Sequence, residues 1–312
     1  MKYTVSLTTK LNGAQDGLVV IEPEDYTAAE IAALKKGGAR VLAYLSVGSV
    51  SDERSYYKEL EPYTLGPLED WPHERYLDVR APQVREWLQN RAREFRRRGY
   101  DGYWLDNLDV YEEYRSTEMF RSLVAVLHAI KAVGGYVMVN GGMLFLTDML
   151  IPHKVQLGAY KRESNAKRMC ASLKRAGLKN TIIEMDGLYK VQAGAYMQQD
   201  SADRLVKMLK SAGFATAKRI SLFNGKPRAY LDGVTQEEVF SRITDYDGKG
   251  TFGKQHTAES DRYQAHMRRV VKNGLDGWLL EYTTDPAVKT KILKFCTAAG
   301  MSGACVSDDV DL

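Results

Sequence analysis

Residues 154–178, KVQLGAYKRESNAKRMCASLKRAGL, return at 190–214 as KVQAGAYMQQDSADRLVKMLKSAGF, identical at 12 of 25 positions and offset by 36 residues. A pattern repeated at this period is a repeated unit of structure, which removes most of the freedom in this segment. Each copy opens with V-Q-x-G-A-Y, whose alternation is that of a half-buried strand. Ala166, Met169, Cys170 and Leu173 then fall on one helix face, as do Ala202, Leu205, Val206 and Leu209 in the second copy. Gly177 and Gly213 stand where a left-handed glycine ends a helix. Short strands follow, TIIEM (181–185) and ATAKRI (215–220). The segment 152–230 therefore reads as βαββαβ, a small α+β domain with two helices on one face of its sheet.

The flanks carry a different rhythm. Apolar strands are expected at 3–7, 17–22, 41–48, 102–107, 135–142, 233–240, 277–283 and 303–309, with RYLDV (75–79) as a rim strand. Amphipathic helices are expected at 27–38, 82–99, 116–133, 258–273 and 285–298. Such alternation predicts a parallel sheet with helical crossovers. Eight core strands suit a closed (β/α)8 TIM barrel built from 1–150 and 231–312, with the α+β domain inserted in one connection. An open doubly wound sheet calls for a Gly-rich phosphate loop after an early strand, and neither G-x-G-x-x-G nor G-x-x-x-x-G-K-S/T follows one here.

Charge divides the chain along the same lines. The 152–230 segment has 16 Lys+Arg against 5 Asp+Glu, and the remainder has 28 against 35. A balance of +11 beside one of −7 points to two units with different partners. No apolar run approaches the roughly 18 residues of a membrane span, so no transmembrane segment is expected. The start, MKYTVSLTTK, shows no signal peptide. Cys170, Cys296 and Cys305 have neither metal nor disulfide-framework spacing. His73, His128, His153, His256 and His266 are scattered and none has zinc spacing, so no metal and no cofactor is expected.

Polar residues gather at the strand ends: Glu22, Ser46 after Tyr44, Asp106 with Asn107, Asn140, Gln236 with Glu237, Glu281 with Tyr282, and Asp308. In a barrel these ends converge on one cleft. The segment GYWLDNLDVY (102–111) is the clearest case, since Tyr103 to Leu105 read as barrel wall and Asp106, Asn107 and Asp109 as its polar tip. No Ser-His-Asp or Cys-His set accompanies them. A pair of carboxylates remains, which is the equipment of glycoside hydrolysis: one protonates the leaving oxygen while the other attacks the anomeric carbon or activates water. Tyr44, Trp71 and Trp104 are candidates for stacking on sugars.

Two resemblances sharpen this. The repeat resembles a SPOR domain, a peptidoglycan-binding module of bacterial cell-wall proteins whose degenerate halves begin with a V-Q-x-G-aromatic strand. That implies binding to glycan strands through the sheet face. By simple alternation Gln156, Gly158 and Tyr160 share one side, as do Gln192, Gly194 and Tyr196, while Val155, Leu157 and Val191 face the helices. Outside the insertion, LAYLSVGS (42–49), WPHE (71–74), YDGYWLDNLD (100–109), VNGG (139–142), GVTQEEVF (233–240) and LLEYTTD (279–285) resemble glycoside hydrolase family 114, the endo-α-1,4-polygalactosaminidase-like barrels. This resemblance implies Asp106 and Glu237 as the catalytic pair. Glu238 is adjacent and would point away from a cleft that Glu237 faces. Tyr44, Ser46, Trp71, Asn107, Asp109, Asn140, Gln236, Glu281 and Tyr282 are expected around the sugar, and Gln156, Tyr160, Gln192 and Tyr196 on peptidoglycan.

The expectation is a bacterial, secreted or envelope-associated glycosidase that cuts an amino-sugar polysaccharide and is held on peptidoglycan by its basic insert. Alternatives are a non-catalytic carbohydrate-binding barrel and a hydrolase of peptidoglycan itself. Nucleic acid is not an expected partner, because the insert lacks the aromatic-rich strand pattern of RNA-binding sheets.

Overall fold

Eight apolar strands form one parallel sheet whose spatial order is their chain order: β1 (Tyr3–Ser6), β2 (Leu18–Ile21), β3 (Arg40–Ser46), β4 (Gly102–Asp106), β5 (Tyr136–Asn140), β6 (Gly233–Glu237), β7 (Asp276–Tyr282) and β8 (Gly303–Ser307). The computed structural model describes residues 1–69, 71–246 and 249–310. The sheet curls until β1 lies against β8, where the Met1 amino group donates to the Ser302 carbonyl at 3.0 Å. The result is a nearly closed TIM barrel with crossover helices. Local chemistry sets the helix ends. Thr27 and Glu30 form a capping box on Ala28–Leu34. Pro82 opens Pro82–Arg98, and Gly99, left-handed at φ 99°, closes it. The 7–17 connection holds no helix.

The interior is layered. Near the bottom, Trp278 Nε1 donates to Tyr136 Oη at 3.1 Å, and that hydroxyl donates to Asp276 at 2.8 Å. Higher up, Trp104 Nε1 donates to Tyr3 Oη at 3.0 Å and Thr235 Oγ1 at 3.3 Å, and those hydroxyls lie 3.2 Å apart. Leu42, Met138 and Leu280 fill the space between the aromatic rings. Every polar tip in this buried floor therefore has a partner.

The rim strand expected at 75–79 runs Glu74–Leu77, outside the barrel, in a small antiparallel sheet with Ser49–Ser51 and Thr64–Pro67. A hairpin of Ser241–Asp245 and Thr251–Lys254 after β6, and a helix at Met143–Leu150, lie where no element was expected.

Contacts divide the chain into two compact units, one of Met1–Val110, Ser122–Gly142 and Pro227–Leu312, the other of Tyr111–Arg121 and Met143–Lys226. The second unit extends beyond the repeat. Its four-stranded antiparallel sheet has the order Thr181–Met185, Leu188–Tyr196, His153–Tyr160, Lys218–Ser221. Helices Glu163–Arg175 and Gln199–Ser211 pack Ala166, Cys170, Leu173, Ala202 and Leu209 against Val155, Leu157 and Val191. Gly177 and Gly213 follow these helices with φ of 72° and 91°.

The expected sharing of one sheet side by Gln156 and Tyr160, and by Gln192 and Tyr196, does not hold. Register shifts between Val191 and Gln192 and between Gln192 and Gly194 break the alternation. Tyr160 and Tyr196 consequently pack with the helix-side core, lying over Gly158 and Gly194. Gln156 and Gln192 pair across the strands and are buried.

Asp148 anchors this unit. It is 3% exposed and accepts from Tyr111 Oη at 2.9 Å, Arg115 at 3.1 Å and the equally buried Lys154 at 2.9 Å. Removing one partner of such a cluster leaves a buried charge uncompensated. Asp148→Ala is expected to cost roughly 3–5 kcal/mol, read as a lower urea midpoint at constant slope. Asp148→Leu combined with Lys154→Met should recover most of that loss.

Candidate active site

Side chains on a strand alternate, so the residue two positions above a core residue also faces the barrel axis. Asp106 stands above Trp104, Glu237 above Thr235, Asn140 above Met138 and Tyr282 above Leu280. These four meet. Asn140, 6% exposed, donates from Nδ2 to Asp106 Oδ1 at 3.0 Å and to Glu237 Oε1 at 2.6 Å. Tyr282 Oη donates to Glu237 Oε2 at 3.0 Å. The two hydrogens of the Asn140 amide thus bridge the two carboxyls.

Burial, and then the charge of Glu237, push the Asp106 carboxyl up to about 7, against the hydrogen bond from Asn140. Burial also raises Glu237, against hydrogen bonds from Asn140 and Tyr282. Two acids so placed resist ionising together. The Tyr44 phenol is pushed up by burial and by Asp106, and the Tyr282 phenol by burial and by Glu237, so both stay protonated as donors.

The Asp106 side is held by a polar knot. Asn107 adopts a left-handed backbone at φ 61° and donates to Ser46 Oγ at 2.9 Å and Ser49 Oγ at 2.7 Å. Ser49 donates in turn to Glu74. Gly48 sits against this turn, where a Cβ would lie 1.8 Å from the Asn107 carbonyl oxygen, so only glycine fits. Tyr44 packs on Trp104, ring centroids 5.8 Å apart, under the Arg54 guanidinium, which pairs with Glu22 at 2.8 Å. Asp109 is half-buried, and its charge adds to those that raise Asp106.

The Glu237 side is held from behind. Glu281 is 0% exposed and accepts from Phe240 N at 3.1 Å, Ser241 N at 3.0 Å and Ser241 Oγ at 2.6 Å. Ser241 Oγ also accepts from Tyr282 N at 2.9 Å. Glu238 turns left-handed at φ 56°, ends β6 and accepts from Ile243 N.

Several of the other residues expected around the sugar are engaged with the protein itself or lie on the rim. Glu281 faces away from the Tyr282 side, and both its oxygens hold the turn after β6. Gln236 alternates away from Glu237, is buried, and donates to the Glu237 carbonyl at 3.1 Å. The polar groups of Ser46 and Asn107 are engaged with each other and with Ser49. Trp71 is exposed on the rim sheet's loop, and Asp308 is exposed after β8. Asp106, Asn140, Glu237 and Tyr282 are brought together, with Tyr44 and Asp109 beside Asp106. Sequence reasoning missed Ile243 and Phe252 of the hairpin, which pack on the barrel core, with the Phe252 ring 6.3 Å from Tyr282. Their alternation in Ser-Arg-Ile-Thr and Thr-Phe-Gly-Lys was the available signal. Among the described residues no group of three His, Cys, Asp or Glu is placed to hold a metal ion.

The profile of Glycoside-hydrolase family GH114 matches residues 4–138, and that of the SPOR domain matches residues 151–217. No curated protein matches the chain. Among solved structures, the glycoside hydrolase domain of PelA from Pseudomonas aeruginosa is similar over 99% of this chain and 96% of that chain, at 16% identity and a TM-score of 0.58. Ega3 of Aspergillus fumigatus, solved in complex with galactosamine, is similar over 98% and 90%, at 14% identity and a TM-score of 0.55. At these identities the likenesses speak for the barrel fold.

Glu281→Gln turns an amide NH2 toward the Phe240 and Ser241 donors. It is expected to cost about 1–3 kcal/mol, read as a lower urea midpoint, with hydrolysis falling through kcat more than through KM.

Proposed function

We propose that this chain, a glycoside hydrolase of family GH114 carrying a SPOR domain, cuts an amino-sugar polysaccharide through Asp106 and Glu237. The observation that carries the reading is the single Asn140 nitrogen within 3.0 Å of one carboxyl and 2.6 Å of the other. The two oxygens can be no farther apart than the sum of those distances. That favours the ~5–5.5 Å separation of retaining enzymes over the ~6.5–9.5 Å that leaves room for a water. One carboxyl then protonates the leaving oxygen while the other attacks the anomeric carbon. The new glycosyl ester is opened by water, which the first residue deprotonates. Tyr282 and Asn140 steady the charge that moves between the pair.

Galactosamine in the Ega3 structure supports an amino sugar for this chain also. The excess of acids outside the insert suits a cationic glycan. The SPOR domain supports retention on the cell wall and a place in the envelope or outside the cell, raising the local concentration of substrate without changing the chemistry. It also keeps peptidoglycan itself as the alternative substrate.

Product release from partly deacetylated α-1,4-galactosaminoglycan and from denuded peptidoglycan separates these readings. Wild type should release oligosaccharides from the first. Asp106→Asn and Glu237→Gln should each lose roughly 10²–10⁴-fold. Silence on both glycans with retained binding would leave a binding protein.

The pH dependence follows from the raised carboxyls. The acid form is held below about 7 and lost above it, so the alkaline limb of kcat should fall near 7. The acid limb should fall as the remaining carboxylate takes a proton. A carboxyl raised above its ordinary 3.8 makes the folded state bind more protons than the unfolded one, so stability declines as pH rises toward 7. Asp106→Asn should therefore raise Tm by a few degrees at pH 8 and leave it unchanged at pH 4; an equal change at both would contradict a raised Asp106.

A further inference from the structure

Two aromatic side chains of the barrel unit stand out in water and touch each other. Trp71 is 57% exposed and Tyr246 61% exposed, yet their rings meet edge to face with centroids 6.4 Å apart. The other large exposed apolar side chains among the described residues, Met1, Met208 and Leu293, are aliphatic. Isolated exposed apolar residues are ordinary, whereas adjoining aromatic rings left in water mark a surface made to be covered.

Their anchors place them at the cleft. Trp71 lies on the turn closed by Glu74, whose amide donates to the Trp71 carbonyl at 2.9 Å and whose carboxylate accepts from Ser49 in the knot behind Asp106. Tyr246 follows the hairpin strand Ser241–Asp245, whose Ile243 packs on the barrel core and whose partner strand brings Phe252 to Tyr282, the donor to Glu237. The two loops leave the ends of β3 and β6 and flank the strand ends that carry Asp106 and Asn140. One aromatic is thus tied to each catalytic carboxyl.

We propose that Trp71 and Tyr246 form a stacking platform for pyranose rings of a long glycan, at a subsite beyond the sugar that is cut. The proposal rests on the polysaccharide reading above. Aromatic faces suit the apolar C–H faces of sugar rings, and a neutral platform takes an amino sugar whether or not it is acetylated. A subsite away from the scissile bond favours long chains over short ones, because the extra contact exists only when the chain reaches it.

The test uses the full chain carrying Glu237→Gln, which leaves glycan uncut. Binding of long galactosaminoglycan and of a trimer is followed by tryptophan emission, to which Trp71 is the most exposed of the four tryptophans. Trp71→Ala and Tyr246→Ala, scored by co-sedimentation with the glycan, should each weaken the long chain about tenfold, equivalent to ~1.4 kcal/mol, and the trimer far less. Trp71→Phe should keep most of the affinity. Long-chain binding equal to the parent's in both alanine variants would overturn the platform, as would a parent that binds neither this glycan nor denuded peptidoglycan. Wild-type protein that binds the long chain through these residues but does not cut it would count against the proposed function and leave the platform standing.

Discussion

Two carboxyls within reach of one amide nitrogen, each only partly exposed, cost stability in any fold. Each is raised by burial, and Asp106 is raised further by its neighbour's charge. Asn140 makes the arrangement tolerable by donating to both. Much of the upper barrel serves to keep the three in place. The hydrogen-bonded floor of Tyr3, Trp104 and Thr235 fixes the strands from below. The knot around Asn107 and Gly48 fixes the end of β4, and Glu281 with Ser241 fixes the turn after β6. Such strain at a pair of acids is what chemistry requires and what packing alone would remove.

Which residues were legible in the sequence depended on the physical rule that governs each. Apolar runs ending in acids reveal strands and their cleft ends, so Asp106, Asn140, Glu237 and Tyr282 were legible. The same alternation that turns Glu238 away from the cleft also turns Gln236 and Glu281 away, since each lies one position from a residue facing the axis. Applied to all three, it turns Glu281 toward the turn after β6, where it accepts from Ser241. Ser46 and Asn107 are a different case, because a left-handed Asn after a strand has no periodic signature. In the basic domain the repeat disclosed the elements and the helix faces, but one-residue register shifts reversed the sides of the tyrosines. A bulge changes everything downstream of it while leaving composition untouched. The hairpin after β6 was hidden by its brevity and by polar residues at its tip.

The inserted segment and the rest of the chain carry opposite charge, +11 against −7. On the proposed reading this division is useful. A basic module can be retained on the wall while a barrel with an excess of acids takes a cationic polymer.

On the proposed reading, Asp106 and Glu237 are close enough for one of them to attack sugar directly. The most direct measurement is the anomeric configuration of the first product, followed by proton NMR during cleavage of α-1,4-galactosaminoglycan before mutarotation sets in. The α configuration should appear first, as a double displacement requires. Initial release of the β anomer would mean that a water stands between substrate and carboxylate, and would contradict direct attack by a carboxylate held at the Asn140 bridge.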